Sequence, residues 1–156
     1  MYSESAFGDS NGLFQDGETE VSFLYCNGRT YAMTRSSGTF CVSDDEGRTW
    51  RRITDFQDNG ERNIMQPYLI RLNDQGMLIN WTERLAPENR AVFGKIYEAG
   101  TEWDEYPDAL IYGDRYGVDM GDPSSVLLDD GSVLTIFYDT GVGKLGRMIN
   151  NIDSFR

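Results

Sequence analysis

The sequence contains no histidine. That absence removes the general base of Ser-His-Asp and Cys-His catalysis, and every histidine metal ligand. Acid–base chemistry falls to Asp, Glu, Tyr or Lys. Cysteine is scarce: Cys26 and Cys41 are too few for a disulfide scaffold or a metal framework. No apolar run approaches the roughly 18 residues of a membrane-spanning helix. Residues 1–12 show neither the basic nor the apolar segment of a secretory leader. Basic residues are the minority, and 14 Lys and Arg against 26 Asp and Glu leave a net charge of −12. A field of that sign repels nucleic acid and anionic membrane surfaces, so neither is expected as a partner. Long helical periodicity with caps is missing as well.

Aromatics and glycine are abundant. Aromatic residues make up 13% of the chain and there are 17 glycines, which suits a turn-rich β protein. Three segments share one pattern: an apolar run, a turn with glycine, then a second apolar run. They are residues 21–35, 68–84 and 125–140, with turn glycines Gly28, Gly76 and Gly131 spaced by 48 and 55 residues. The turns NG, DQG and DDG supply residues that tolerate positive φ, so each segment reads as a hairpin. A third strand is expected at 39–43, 91–97 and 144–149, and an outer fourth strand at ITDF and DALIY. Four antiparallel strands about every 50 residues is the period of a propeller blade. Residues 56–66, 84–90 and 112–122, polar and rich in Gly, Asp and Asn, are expected as loops. Cys26 then falls on a first strand and Cys41 on a third, roughly 10 Å apart, beyond the about 7 Å that a disulfide spans. Two unbridged thiols fit a reducing compartment.

Residues 43–50 read Ser43-Asp44-Asp45-Glu46-Gly47-Arg48-Thr49-Trp50. The pattern S-x-D-x-G-x-T-W resembles the Asp-box of sialidases and their relatives. Physically it is a tight turn between third and fourth strands. Ser43 and Asp45 bond turn amides, Gly47 takes positive φ, Thr49 bonds back and Trp50 packs beneath. A decayed copy at 96–103 keeps Gly100 and Trp103. The carboxylates at 44–46 also admit a reading as a calcium site, which the turn's own needs disfavour.

The resemblance to the sialidase (BNR-repeat) propeller family extends over roughly residues 18–140 and implies a set of site residues. TEVSFLYCNGRTYAMTR resembles the segment with a catalytic Glu and a substrate-binding Arg, here Glu20 and Arg35; a one-residue gap leaves Glu18 open. INWTERLAP resembles the segment bearing another arginine of the family's triad, here Arg84. DMGDPSSVLL resembles the stretch holding the tyrosine nucleophile, where this chain has Asp122, a candidate catalytic nucleophile or base or a partner of Arg35, with an Asx turn before Pro123 as the alternative. That departure removes the usual aryl intermediate. The first triad arginine and the acid/base Asp match no segment. Arg35 and Arg84 could clamp a carboxylate, or each could pair with a nearby acid. Asp119 is expected on the same face. Trp81 is a candidate sugar contact with strand packing as its alternative. Tyr138 reads as a packing residue.

The expected fold is therefore all-β: three four-stranded antiparallel blades, at about 17–56, 64–113 and 119–156. They would form half of a six-bladed sialidase-like β-propeller, with 1–16 the tail of a preceding blade. The expected function is that of a glycan-binding or glycoside-hydrolase-related segment, inactive alone and needing no cofactor or metal. A non-catalytic protein-interaction segment is the alternative. Expected partners are a glycan or acidic sugar, and either a second copy or the missing half. The open end faces are expected to carry Leu13, Phe14, Val133 and Ile136.

Overall fold

The computed structural model describes residues 19–56, 63–86, 89–116 and 119–156. Glu18, Leu13, Phe14 and the tail at 1–16 lie outside them. Eleven strands run in chain order. β1 (Ser22–Cys26), β2 (Arg29–Met33), β3 (Thr39–Ser43) and β4 (Arg51–Asp55) form a first meander. β5 (Ile64–Arg71), β6 (Gly76–Ala86), β7 (Asn89–Glu98) and β8 (Ala109–Tyr116) form a second. β9 (Met120–Leu127), β10 (Ser132–Asp139) and β11 (Lys144–Asn151) form a third sheet. All pairings are antiparallel.

The first strands of the three sheets lie side by side, with β5 touching both β1 and β9. A Ser22 side-chain oxygen accepts the Leu69 N–H at 3.2 Å, tying β1 to β5. The sheets thus fan out from neighbouring inner strands, as propeller blades do. The described residues form three consecutive sheets and not a closed ring.

Packing between sheets follows from strand alternation. On β6, Met77, Ile79 and Trp81 face the first sheet and meet Cys26, Tyr31, Met33, Phe40 and Val42. Leu78 faces the other way, in a core with Val92, Ile96, Ile111, Met120, Val133 and Phe137. A strand covered on both faces needs an unbroken apolar run, and MLINW supplies it. Cys26 and Cys41 are both buried, with no bond between them.

The structure departs from the sequence reading at several places. The third sheet has three strands among the described residues, not four. After β11 the chain turns into a 3-10 segment, Ile152–Phe155, whose Phe155 is buried. Phe155 inserts beside Gly94, where an added Cβ would come within 2.7 Å of its ring. The described residues of 84–90 and 112–122 are largely strand: β6 and β7 pair as far as Ala86↔Asn89, β8 pairs with β7 to Tyr116, and β9 begins at Met120. Gly76 is not in the left-handed region. That turn is held instead by the Asn73 side chain, which accepts the N–H groups of Gln75 and Gly76 at 2.8 and 2.7 Å. Asn27 and Gly28, at φ 52 and 74°, form the tight hairpin expected.

Val133 points inward, fully buried, whereas Ile136 points out. The outer face of the third sheet carries Val126, Ile136, Leu145 and Ile149, all exposed. Register places Val126, Leu134 and Ile149 in one row across it. The middle sheet covers both its faces; the third covers one.

Candidate functional site

Strand direction gathers polar residues at one rim. β2, β6 and β10 run toward that rim, and β5 and β9 begin there. Backbone hydrogen bonds stitch it together. The Ser36 N–H donates to Ile64 O at 2.8 Å and the Arg84 N–H to Asn63 O at 3.2 Å. The Thr140 N–H donates to Asp119 O at 2.9 Å. Gly38, at φ 65°, permits the close approach, since a Cβ there would sit 2.8 Å from Ile64 and Phe56.

Each inner strand enters from this rim through a polar residue in the left-handed conformation: Glu20 at φ 51°, Gln66 at φ 46° and Asp122 at φ 51°. Gln66 and Asp122 each precede a proline, and each sits at a register shift of its strand pair. A bulge is where a strand tolerates proline and re-aims a side chain. The Asp122 N–H donates to Gln66 Oε1 at 3.5 Å. Gly121 makes room for this: a Cβ there would lie 2.6 Å from Gln66 Oε1 and 3.2 Å from Thr82 Oγ1. Thr82 is buried, and among the described residues its hydroxyl has no hydrogen-bond partner.

Asp119, Asp122 and Arg84 collect around Tyr138. The Tyr138 hydroxyl donates to Asp119 Oδ2 at 3.2 Å. Asp119 is fixed by Thr140, whose hydroxyl donates to its carbonyl at 2.8 Å. Burial pushes the Tyr138 phenol above its ordinary value, the Asp119 and Asp122 charges push it further, and Arg84 opposes them. Gln66, Thr82, Arg84, Arg90, Asp119 and Tyr138 line one shallow recess. Arg90 stands opposite Arg84 in the β6–β7 register.

The other sequence candidates are placed as follows. Arg35 ion-pairs with Glu20, and its backbone N–H donates to Thr19 O at 3.0 Å. Among the described residues no hydrogen bond or ion pair joins Arg35 to Asp122. Trp81 is not a sugar platform. It is fully buried, stacked on Phe93 at 5.8 Å and abutted by Phe56 at 4.8 Å. Its indole N–H donates to Glu83 at 3.2 Å. Tyr138 is half-buried with its hydroxyl at the recess, rather than a packing residue alone. Sequence reasoning missed Gln66, Thr82 and Arg90. For Gln66 a signal existed, since Gln66-Pro67 and Asp122-Pro123 recur at corresponding places in two repeats.

The turn at 43–50 lies at the opposite rim, since Ser43 pairs with Thr30 beside the β1–β2 hairpin. Ser43 Oγ donates to Asp45 Oδ1 at 2.8 Å and accepts the Gly47 N–H at 2.8 Å. Asp45 accepts the Thr49 N–H at 2.8 Å and its hydroxyl at 2.7 Å. The Trp50 indole donates to Gly47 O at 3.0 Å. The bonds from Thr49, and that from Ser43, hold Asp45 down at about 2. Asp44 pairs with Arg29 and Glu46 with Arg48, so the three carboxylates diverge rather than converge on a cation. In the corresponding connection of the second sheet, Gly100 is at φ 93°. There Trp103 packs on Phe40 and Phe56 at 5.3 and 4.8 Å.

No protein-family model matches the sequence, and no curated protein does. Solved structures do match in fold. One is an exo-β-1,3-galactanase from Clostridium thermocellum, with a TM-score of 0.60 at 12% identity over 96% of this chain. Another is a GH43 β-1,3-galactosidase with galactodeoxynojirimycin, with a TM-score of 0.54 at 13% identity over 88% of this chain. The chain spans 38% and 59% of those two chains. The likeness is one of fold, to glycoside-hydrolase propellers; neither of the two is a sialidase.

Proposed function

We propose that this chain is a glycan-binding segment of a glycoside-hydrolase-related propeller, and that its sugar-contacting rim is built by Gln66, Arg84, Asp119, Asp122 and Tyr138. One observation carries the reading. Three successive inner strands each enter through a polar residue, Glu20, Gln66 or Asp122, held at φ near +50°. Such a conformation costs on the order of 1–3 kcal/mol per residue, and nothing in core packing calls for it three times at one rim. Aimed carboxylates, an amide, a guanidinium and a phenol form a donor and acceptor set suited to sugar hydroxyls.

The segment alone does not hydrolyse glycosides on this reading. In the sialidase resemblance the nucleophile position is Asp122, and the alternative phenol, Tyr138, has its proton held more tightly by burial and then by Asp119. That is the wrong direction for a nucleophile. The parent architecture, a six-bladed ring with this chain as half, belongs to the same proposal. Calorimetric titration with galactose, a galactose disaccharide and a sialylated lactose tests it. Saturable binding of at least one saccharide is expected, weakened at least tenfold in Arg84→Ala and Asp122→Ala. Turnover of fluorogenic galactosides and sialosides is expected to stay below about 1 per second. No binding, or turnover at glycosidase rates, sinks the reading.

A second reading, an interaction segment, is favoured by the exposed apolar face of the third sheet. Its occupant on that reading is a second copy of this chain, stacking sheet on sheet as the three sheets already do.

A further inference from the structure

A second cleft lies at the opposite rim, away from Asp122 and Tyr138. It measures about 270 Å³ and separates the outer edge of the first sheet from the β7–β8 connection. That is just under the about 300 Å³ floor of ordinary small-molecule pockets, so it has room for one sugar ring and not for a chain. One wall carries Arg29, Arg51 and Arg52; the facing wall is Gly100, Thr101 and Glu102.

Strand register explains why Arg29 and Arg51 share the cleft, whereas Arg52, paired with Cys41, turns its head group to Asp55 on the other face. Arg51 is paired with Val42, and Val42 with Tyr31. Tyr31 and Val42 belong to the core between the first and second sheets. Arg51 therefore continues an apolar row and leaves it where the sheets part. Arg29 precedes Tyr31 by two residues and so shares its face. The floor is aromatic, with Tyr97 in contact with Tyr31 and Trp103 at ring separations of 6.0 and 6.0 Å.

In a chain of net charge −12, the cleft gathers two arginines, Arg29 and Arg51, with Asp44 on Arg29 and Glu102 on the facing wall. Asp44 holds Arg29 through Nε at 2.7 Å, and Asp55 holds Arg52. The Asp44 contact, made through Nε, leaves other donors of the Arg29 fork. Arg51 meets no carboxylate within ion-pair distance among the described residues. Distant acidic residues act weakly here, because salt screens charge over about 8–10 Å.

We infer that this cleft binds a single anionic sugar residue, with its carboxylate or sulfate on Arg51 and Arg29 and its hydroxyls on Thr101 and Glu102. A bidentate guanidinium contact fits either oxyanion. The site is independent of the rim around Asp122, and loss of one leaves the other.

The test is calorimetric titration of the full chain with galacturonic acid, galactose 6-sulfate, galactose and inorganic sulfate, with amide shifts followed at Gly100 and Thr101. Saturable binding is expected for one or both acidic sugars, at least tenfold tighter than for galactose and for sulfate. Galacturonic acid and galactose 6-sulfate distinguish a carboxylate from a sulfate ligand. Arg51→Ala should weaken that binding at least tenfold, whereas Arg147→Ala, exposed on β11 and outside both sites, should leave it unchanged. Arg51 is exposed on an edge strand, so Arg51→Lys gives a folded control with the charge but not the fork. Equal binding of galactose, equal binding of sulfate alone, or no saturable binding overturns the inference.

Discussion

The Asp122 N–H donates to the Gln66 side-chain oxygen across two neighbouring inner strands, and both residues share the left-handed conformation, at φ 51 and 46°. The contact joins the second and third sheets at the rim where Arg84, Asp119 and Tyr138 also gather. Strain, bulge and polar side chain coincide at the same place in consecutive repeats.

That coincidence predicts an exchange of stability against binding. In Asp122→Gly the strain is relieved, about 1–3 kcal/mol, against an entropic cost of about 0.5–1 kcal/mol for the added glycine freedom. The melting temperature should hold or rise while saccharide affinity falls at least tenfold. A melting temperature several degrees lower, with affinity intact, would mean that the conformation serves the fold and not a ligand.

Asp45 supplies a pH signature. Its carboxyl is held at about 2 by hydrogen bonds within the turn, those from Thr49 first, below the roughly 3.9 of an unfolded chain. A depressed folded value stabilises above the unfolded value, and the contribution disappears as pH falls through about 2. Asp45→Asn should therefore melt below wild type at pH 7, with the gap narrowing under pH 4 and closing near pH 2. A gap constant across that range would assign the effect to packing instead.

Trp81→Ala removes a fully buried indole between Phe56 and Phe93, at a cost of about 3–5 kcal/mol. Trp81→Phe keeps most of the volume and should bind saccharide as wild type does. Denaturant unfolding and calorimetry separate the two effects. Loss of affinity in a stably folded Trp81→Phe would restore the indole as a sugar contact.

Much of the fold was legible because its signals are local. Asn27-Gly28 can hardly be anything but a tight hairpin, and Ser43 to Trp50 carries its own hydrogen-bond partners within eight residues. The missed parts depend on partners distant in sequence. β6 reaches Ala86 and β7 begins at Asn89, inside a stretch read as a loop, because each strand supplies the other's backbone bonds, which no single-strand pattern records. Trp81 resembles a site residue by position, yet Phe56 from the first sheet covers it. Arg35 and Arg84 occupy similar offsets, but Glu20 reaches Arg35 first. Gln66 carried no charge to attract notice, and the proline after it marks a bulge whose counterpart lies in another repeat.

The third sheet makes the last prediction. The middle sheet buries apolar side chains on both faces, against the first sheet on one side and the third on the other. The third sheet leaves Val126, Ile136, Leu145 and Ile149 in solvent, Leu145 and Ile149 at 75% and 60% exposure. Fully burying one such side chain stabilises by about 1.5–3 kcal/mol, and monomers rarely leave a contiguous patch of this kind open. Two copies meeting face to face through this sheet would be related by a two-fold axis, so each residue is used twice. The net charge of −12 opposes the encounter, but screening limits it to about 8–10 Å while the burial is unaffected. Light scattering should show mass rising with concentration, and added salt should strengthen the association. Leu145→Glu with Ile149→Lys should hold the chain at 17.7 kDa and melt no lower than wild type dilute enough to be dissociated, since both positions are exposed in the single chain. A wild-type chain that stays at that mass at high concentration, in low and high salt alike, would refute the pairing.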